Sequence, residues 1–305
     1  MVTASLAGLR VLRQLGVSAS AAVGHSLGEL TALHWAGAFD EAALLRIARA
    51  RGRAMAELGS PTGAMAAIAA RSAEVQPLLD HRLSVVGFNS PRQTVVAGEA
   101  DAIAAVIEAA KARGLSAVKL NVSHAFHTSL VAAAAPELDR YLAGETFAAS
   151  GRAVFSTVTG ARLPVNENLR RLLTRQVTSP VRFLEALAAA DAEVDCWLEA
   201  GPGQVLCGLA AECGAKPAFA LDAAGASMKP LLQAMGALFA LGAPVDTAAL
   251  FAGRFTRPFS LDWRPKFFVN PCELAPVSDT LSRSAGLRTG ALEDADRAGS
   301  ESGAP

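Results

Sequence analysis

The sequence carries no excess of either charge. Lys plus Arg and Asp plus Glu each number 28, so the formal net charge is zero. A chain without a basic field has nothing to concentrate nucleic acid or anionic lipid around it, which leaves a ligand met at a local site. Cysteines are few: Cys196, Cys207, Cys213 and Cys272 include no CxxC pair, and no histidine lies at zinc-finger spacing from them. They are expected to be reduced thiols of a cytoplasmic protein. No stretch of about 20 apolar residues is free of charge, so no membrane span is expected. The first residues lack the charged segment and apolar run of a signal peptide. There is no internal repeat. What remains, with 305 residues that are 51% hydrophobic and 18% charged, is a globular chain of one or two domains.

The periodicity changes along the chain. Residues 3–15 place Leu6, Leu9, Val11, Leu12 and Leu15 at helical spacing. A short apolar run, residues 21–23, precedes Gly24, and residues 27–35 read as a helix ended by Gly37. Asp40 is placed to cap a helix running to about residue 58. Over 63–122 the expected order is strand (64–69), helix (73–79), two strands (83–88 and 94–97) joined by Asn89-Ser90-Pro91, helix (101–113) and strand (117–122). That is the β-α-β-β-α-β pattern of a ferredoxin-like unit. Later strand candidates at 154–157, 194–198 and 218–221 alternate with helices, which argues for parallel βα units.

Gly24-His25-Ser26-Leu27-Gly28 matches G-x-S-x-G between a strand candidate and a helix, the context a nucleophilic serine elbow requires. A strand turning directly into a helix strains the serine and exposes its Oγ, and a Cβ at Gly24 or Gly28 is expected to crowd the turn. The helix N-terminus favours a developing oxyanion there. The hydroxyl needs a base. Of five histidines, His25 is sequence-adjacent and points away, His34 lies in the following helix and His81 in a turn. That leaves His124 and His127 at a strand end, where parallel α/β folds place catalytic groups. If the segment is extended they face opposite ways, and spacing does not say which one reaches Ser26.

Taken in order, Gly24-His25-Ser26-Leu27-Gly28-Glu29, Ala36-Gly37-Ala38, Arg51-Gly52, His124-Ala125-Phe126-His127 and Glu199-Ala200-Gly201-Pro202-Gly203 resemble the acyltransferase domain of type I polyketide synthases and malonyl-CoA:acyl-carrier-protein transacylases. The match extends from residue 1 to about 250; the set is specific, while any one motif is not. The resemblance implies an α/β fold: an α/β-hydrolase-like parallel-sheet core (1–60 and 123–252), an inserted ferredoxin-like subdomain (61–122) and a post-domain linker (253–276); residues 277–305, rich in Ser, Gly, Ala, Asp and Arg, are expected to be a disordered tail. It implies that Ser26 takes a malonyl group from malonyl-CoA and passes it to the phosphopantetheine thiol of an acyl carrier protein. His127 would be the base, His124 would shape the pocket, and no cofactor would be bound. Arg51, whose guanidinium suits a carboxylate, would hold the malonyl group. Leu27 and Phe126 resemble malonyl-selective members, with His25 also in the substrate site. Partners implied are the carrier protein and other domains or subunits of a synthase.

The sequence also departs from that family. Its members carry a further segment before the position of Met1, with a Gly-Gln-Gly-rich loop whose glutamine N–H is one of two oxyanion donors. The chain is therefore expected to be incomplete at its N-terminus, a loss that typically costs about 100- to 1,000-fold in rate. The ending, Arg257-Pro258-Phe259 and Trp263-Arg264-Pro265, resembles linkers of multidomain synthases, including iterative ones of the enediyne type. Two other readings are an inactive or split fragment that only docks to partners, and an α/β-hydrolase esterase. The esterase would need an acidic residue between Ser26 and His127, on a strand end of the main sheet, and none stands out.

Overall fold

The computed structural model describes residues 1–253. The segments read as linker and tail, and Cys272, lie outside the described residues, Gly253 excepted. The chain opens with α1 (Val2–Gln14), which buries Leu6, Gly8 and Leu12 on one face. Gly16, at φ 71°, turns it toward β1 (Ala21–Gly24). A tight turn leads into α2 (Gly28–Trp35), which buries Glu29 through Leu33. Next comes α3 (Glu41–Leu58), capped as expected by Asp40, whose side chain accepts the Ala43 N–H at 2.7 Å.

The chain then builds β2 (Gly63–Ile68), α4 (Ser72–Val75), β3 (Leu83–Ser90), β4 (Gln93–Glu99), α5 (Ala100–Ala112) and β5 (Ala117–Lys119). The four strands form one antiparallel sheet in the order β3-β4-β2-β5. Its face, with Ile68 and Val96, packs with Val75 and with Ile103, Val106 and Ile107 of α5. The β-α-β-β-α-β expectation holds, with two local corrections. The helix expected over 73–79 is one α-turn followed by a 3-10 turn (Gln76–Leu78), because Pro77 supplies no N–H to continue it. The strand expected over 117–122 ends at Lys119, and the chain turns there toward His124.

The remainder runs α6 (Ala134–Leu142), β6 (Ala153–Ser156), β7 (Ala161–Arg162), α7 (Leu169–Gln176), α8 (Phe183–Asp191), β8 (Trp197–Glu199), α9 (Val205–Glu212), β9 (Ala218–Ala220) and α10 (Lys229–Ala240). The expected parallel pairing is present in two places. β1 pairs with β6, from Ala21 opposite Ala153 to Gly24 opposite Ser156, and β8 pairs with β9. β7 adds a short antiparallel edge to β6. The two sheets are separate; Val23 of β1 and Trp197 of β8 line one small apolar pocket with Phe183, Leu187 and Leu206. Above them α2, α3, α6 and α7 share a core of Leu30, Leu33, Leu44, Ile47, Leu138 and Leu173. Backbone bonds join the four-stranded sheet to the segment that leads into α8: Phe88 N–H donates to Val181 O and Val181 N–H to Val86 O, each at 2.8 Å.

Candidate active site

Ser26 occupies the turn between β1 and α2. Gly28 N–H bonds His25 O at 2.9 Å and Glu29 N–H bonds Ser26 O at 3.0 Å, so the helix begins within the turn itself. The backbone cost appears at Ser26, whose φ is 49°, a region non-glycine residues seldom adopt. Gly24 is required by space, since a Cβ there would lie 2.4 Å from the Glu29 backbone. Gly28 is not: no atom lies within 4 Å of a Cβ built on it, which corrects the expectation that both glycines relieve crowding. The Leu27 N–H has no acceptor among the described residues and lies at the N-terminal end of α2, where an oxyanion is favoured.

The segment holding His124 and His127 is a turn rather than an extended strand end, with His127 at φ 65°. Thr128 fixes that turn: its hydroxyl donates to Ala125 O at 2.7 Å and accepts Leu130 N–H at 3.1 Å. His127 Nε2 then lies 2.8 Å from Ser26 Oγ. Its Nδ1 faces two carbonyls, Gln176 O at 3.1 Å and Ser179 O at 2.8 Å. Carbonyls only accept, so Nδ1 carries the proton and Nε2 turns a lone pair to the serine hydroxyl. Burial, aided by the positive charge of Arg51, lowers the His127 pKa to about 4, keeping the ring neutral at physiological pH. His124 turns elsewhere, bonding Ser123 Oγ at 2.9 Å with its ring beside Phe126.

Arg51, on α3, is 7% exposed. Its Nε has no hydrogen-bond partner, and it makes no salt bridge among the described residues. Burial lowers its pKa to about 10, and the charge of Glu29 opposes that shift. A buried cation is costly unless a negative charge lies near it, and among the described residues the charge acting on Arg51 is that of Glu29, at a distance. His25 reaches across to the four-stranded sheet: its Nε2 donates to Asn89 Oδ1 at 2.9 Å, and Asn89 Nδ2 donates to Gln93 Oε1 at 2.7 Å. Its ring tilts against Phe183, and burial lowers its pKa. Leu27 and Phe126 are half-buried; Phe126 packs against both the helical core and the cluster of Met65, Val86, Val95 and Ala125.

The structure also gathers residues that motif reading passed over. Glu29 has no exposed surface. Its carboxylate accepts from the Ser156 hydroxyl, from Gln176 Nε2 at 2.7 Å and from Thr157 Oγ1 at 3.3 Å. Burial raises its pKa to about 7 against the pull of these donors and of Arg51. Gln176 Nε2 also bonds Ser26 O at 3.2 Å. The Glu that closes the GHSLGE motif was a signal for the first of these; Gln176 lies in no recognised motif, and Ser179 meets His127 through a backbone carbonyl, which leaves no signal. Among the described residues no cluster of three or more His, Cys, Asp or Glu could hold a metal ion, and no helix is long and apolar enough to cross a membrane.

The chain as a whole finds relatives among known proteins. The model of the acyl transferase domain family matches residues 1–237. The polyketide synthase GfsA of Streptomyces halstedii is 38% identical over 254 residues, a match that covers 80% of this chain and 3% of the synthase. The chain thus spans a small part of that relative's length. Among solved structures, the acyltransferase domain of the iterative polyketide synthase in enediyne biosynthesis aligns with a TM-score of 0.78 at 42% identity, over 83% of this chain and 68% of that one. A malonyl-transacylase solved in complex with a type II polyketide synthase acyl-carrier protein aligns with a TM-score of 0.70 at 34% identity, over 76% of this chain and 78% of its counterpart. The chain belongs to the acyl transferase domain family shared by type I polyketide synthases and malonyl-transacylases.

Proposed function

We propose that the chain transfers a malonyl group from malonyl-CoA to the phosphopantetheine thiol of an acyl carrier protein through an acyl-serine intermediate. The observation that carries this reading is the 2.8 Å contact between Ser26 Oγ and His127 Nε2 beside the unpaired, buried Arg51. Ser26 Oγ attacks the thioester carbonyl as His127 Nε2 takes its proton. The resulting oxyanion faces the Leu27 N–H. Collapse expels the CoA sulfur, which leaves as the thiol with the proton from His127. The carrier thiol then enters, gives its proton to His127 and attacks the ester, and Ser26 leaves with that proton. Arg51 binds the malonyl carboxylate in both half-reactions. The chemistry runs on side chains and backbone and needs no bound cofactor. Malonyl-CoA and the carrier protein are the partners, other domains of a synthase being neighbours, and the reading places the chain in the cytoplasm. His127 rests on carbonyls rather than a carboxylate, which favours this reading over an esterase triad.

The test is an intact mass after incubation with malonyl-CoA, with Ser26→Ala alongside. One malonyl unit added to the native chain and absent from the variant is the expected result. A well-folded native chain that stays unmodified would instead favour a fragment that acts by docking alone.

A further inference from the structure

Glu29 is fully buried beside the nucleophile, yet the transfer just described gives it no task. We propose that Glu29 is a positioning residue: through Gln176 it ties the turn that carries Ser26 to the carbonyl that orients His127. The proposal rests on Ser26 and His127 acting as nucleophile and base. The geometry forms a closed circuit. Glu29 Oε2 accepts from Gln176 Nε2 at 2.7 Å, the same nitrogen bonds Ser26 O at 3.2 Å, and Gln176 O takes the His127 Nδ1–H at 3.1 Å. One carboxylate therefore joins the elbow, the end of β6 through Ser156 and Thr157, and the last turn of α7. Both reacting residues sit at positive φ, 49° and 65°, so neither backbone conformation holds itself in place and an external brace has a physical task. The groups facing Glu29 are the hydroxyls of Ser156 and Thr157, the Gln176 amide and, through space, Arg51. Three donors converge on it, an arrangement that favours the ionised carboxylate. A protonated Glu29 loses one acceptor site, and the circuit loosens at Gln176.

The test follows Ser26 modification by intact mass over roughly pH 5 to 9 with two probes. One is malonyl-CoA; the other is a fluorophosphonate, which reports hydroxyl activation without needing a malonyl pocket. In the native chain both rates should rise with pH through about 7, where burial sets the Glu29 titration. Glu29→Gln should react about ten-fold more slowly at its plateau, a part of what base catalysis contributes. Its KM for malonyl-CoA should be unchanged, and its acid limb should move toward the His127 value of about 4. A structural role alone would lower thermal stability and leave the limb in place. A limb near pH 7 that persists in Glu29→Gln overturns the proposal, as does a native chain whose Ser26 reacts with neither probe. Should that variant not fold, Gln176→Met removes both amide contacts and keeps the carboxylate. It should lower both rates at unchanged KM, and an unchanged rate counts against the proposal. Fluorophosphonate reactivity with the expected limb but no malonylation removes the proposed substrate and leaves the inference standing.

Discussion

A charged side chain hidden from water must find its partner in the protein or in a ligand, and Arg51 has none in the protein within ion-pair distance among the described residues. Under the proposed function its value to the reaction would be selective. Arg51→Ala should lower Ser26 loading from malonyl-CoA about ten- to a hundred-fold, the worth of a charge-assisted hydrogen bond, and leave loading from acetyl-CoA nearly unchanged. Equal losses with both thioesters, measured as initial rates of acyl-serine formation, would make Arg51 a packing residue only. Phe126, next to His127 and half-buried between two apolar clusters, would under the proposed function bear on the other end of the acyl group. Phe126→Ser should shift the methylmalonyl-to-malonyl loading ratio upward by about ten-fold, since one methyl in a pocket is worth about 1–3 kcal/mol. A constant ratio would take Phe126 out of the selectivity. Ser26 could be singled out from its G-x-S-x-G context, while the roles expected of His127 and Arg51 came from the family resemblance of their motifs. Ser179 could not be singled out, since a backbone carbonyl leaves no mark on residue choice, and Gln176, which uses its amide as well as its carbonyl, lies in no motif the sequence offered. Residue spacing alone left His124 and His127 open and only the resemblance favoured His127, because the turn that brings one of them to Ser26 depends on Thr128 and a positive φ.

At the scale of elements, the elbow between β1 and α2 offers a contrast between its two glycines. At Gly24 the intruding Cβ would meet backbone at 2.4 Å, and neither strand nor helix yields there without moving Ser26. Gly28 is in open space at the first residue of α2, with no positive φ. Gly24→Ala should therefore cost about 2 kcal/mol or more by chemical denaturation. Gly28→Ala should be neutral or gain up to about 1 kcal/mol, since alanine is the better helix former. A reversed order would mean the elbow is looser than its geometry. Elements with strong periodicity and clear ends were legible in the sequence. α3 had its Asp40 cap, and the two-stranded turn at Asn89-Ser90-Pro91 marked β3 and β4. The unit at 72–78 was misjudged because apolar spacing continues through Pro77 while hydrogen bonding does not. α6 and α8 bury Leu138 with Leu142, and Phe183 with Leu187, at helical intervals, but neither has a capping side chain to mark where it begins.

For the whole molecule, a net charge of zero means that little long-range repulsion varies near neutral pH, so buried titratable groups govern how stability responds. Two of them act in opposite directions. The folded state lowers the His127 pKa from 6.5 to about 4, so its contribution is present above about pH 6.5 and is lost as pH falls through 4. The folded state raises the Glu29 pKa from 4.5 to about 7, so its contribution is full below about pH 4.5 and is lost as pH rises through 7. At pH 8 the fold therefore holds an ionised carboxylate that it would prefer protonated, a cost on the order of 1–3 kcal/mol. Glu29→Gln removes that cost together with the charge. Its thermal midpoint should match the native one near pH 4 and exceed it by several degrees at pH 8, the gap opening between about pH 4.5 and 7. The same substitution is expected to slow Ser26 acylation, so stability and rate would move apart in one variant. That is the behaviour of a carboxylate kept at a functional site against the interest of the fold. A midpoint difference that stays constant from pH 5 to 8 would show that Glu29 is ionised in both folded and unfolded states, and that the three donors around it outweigh its burial.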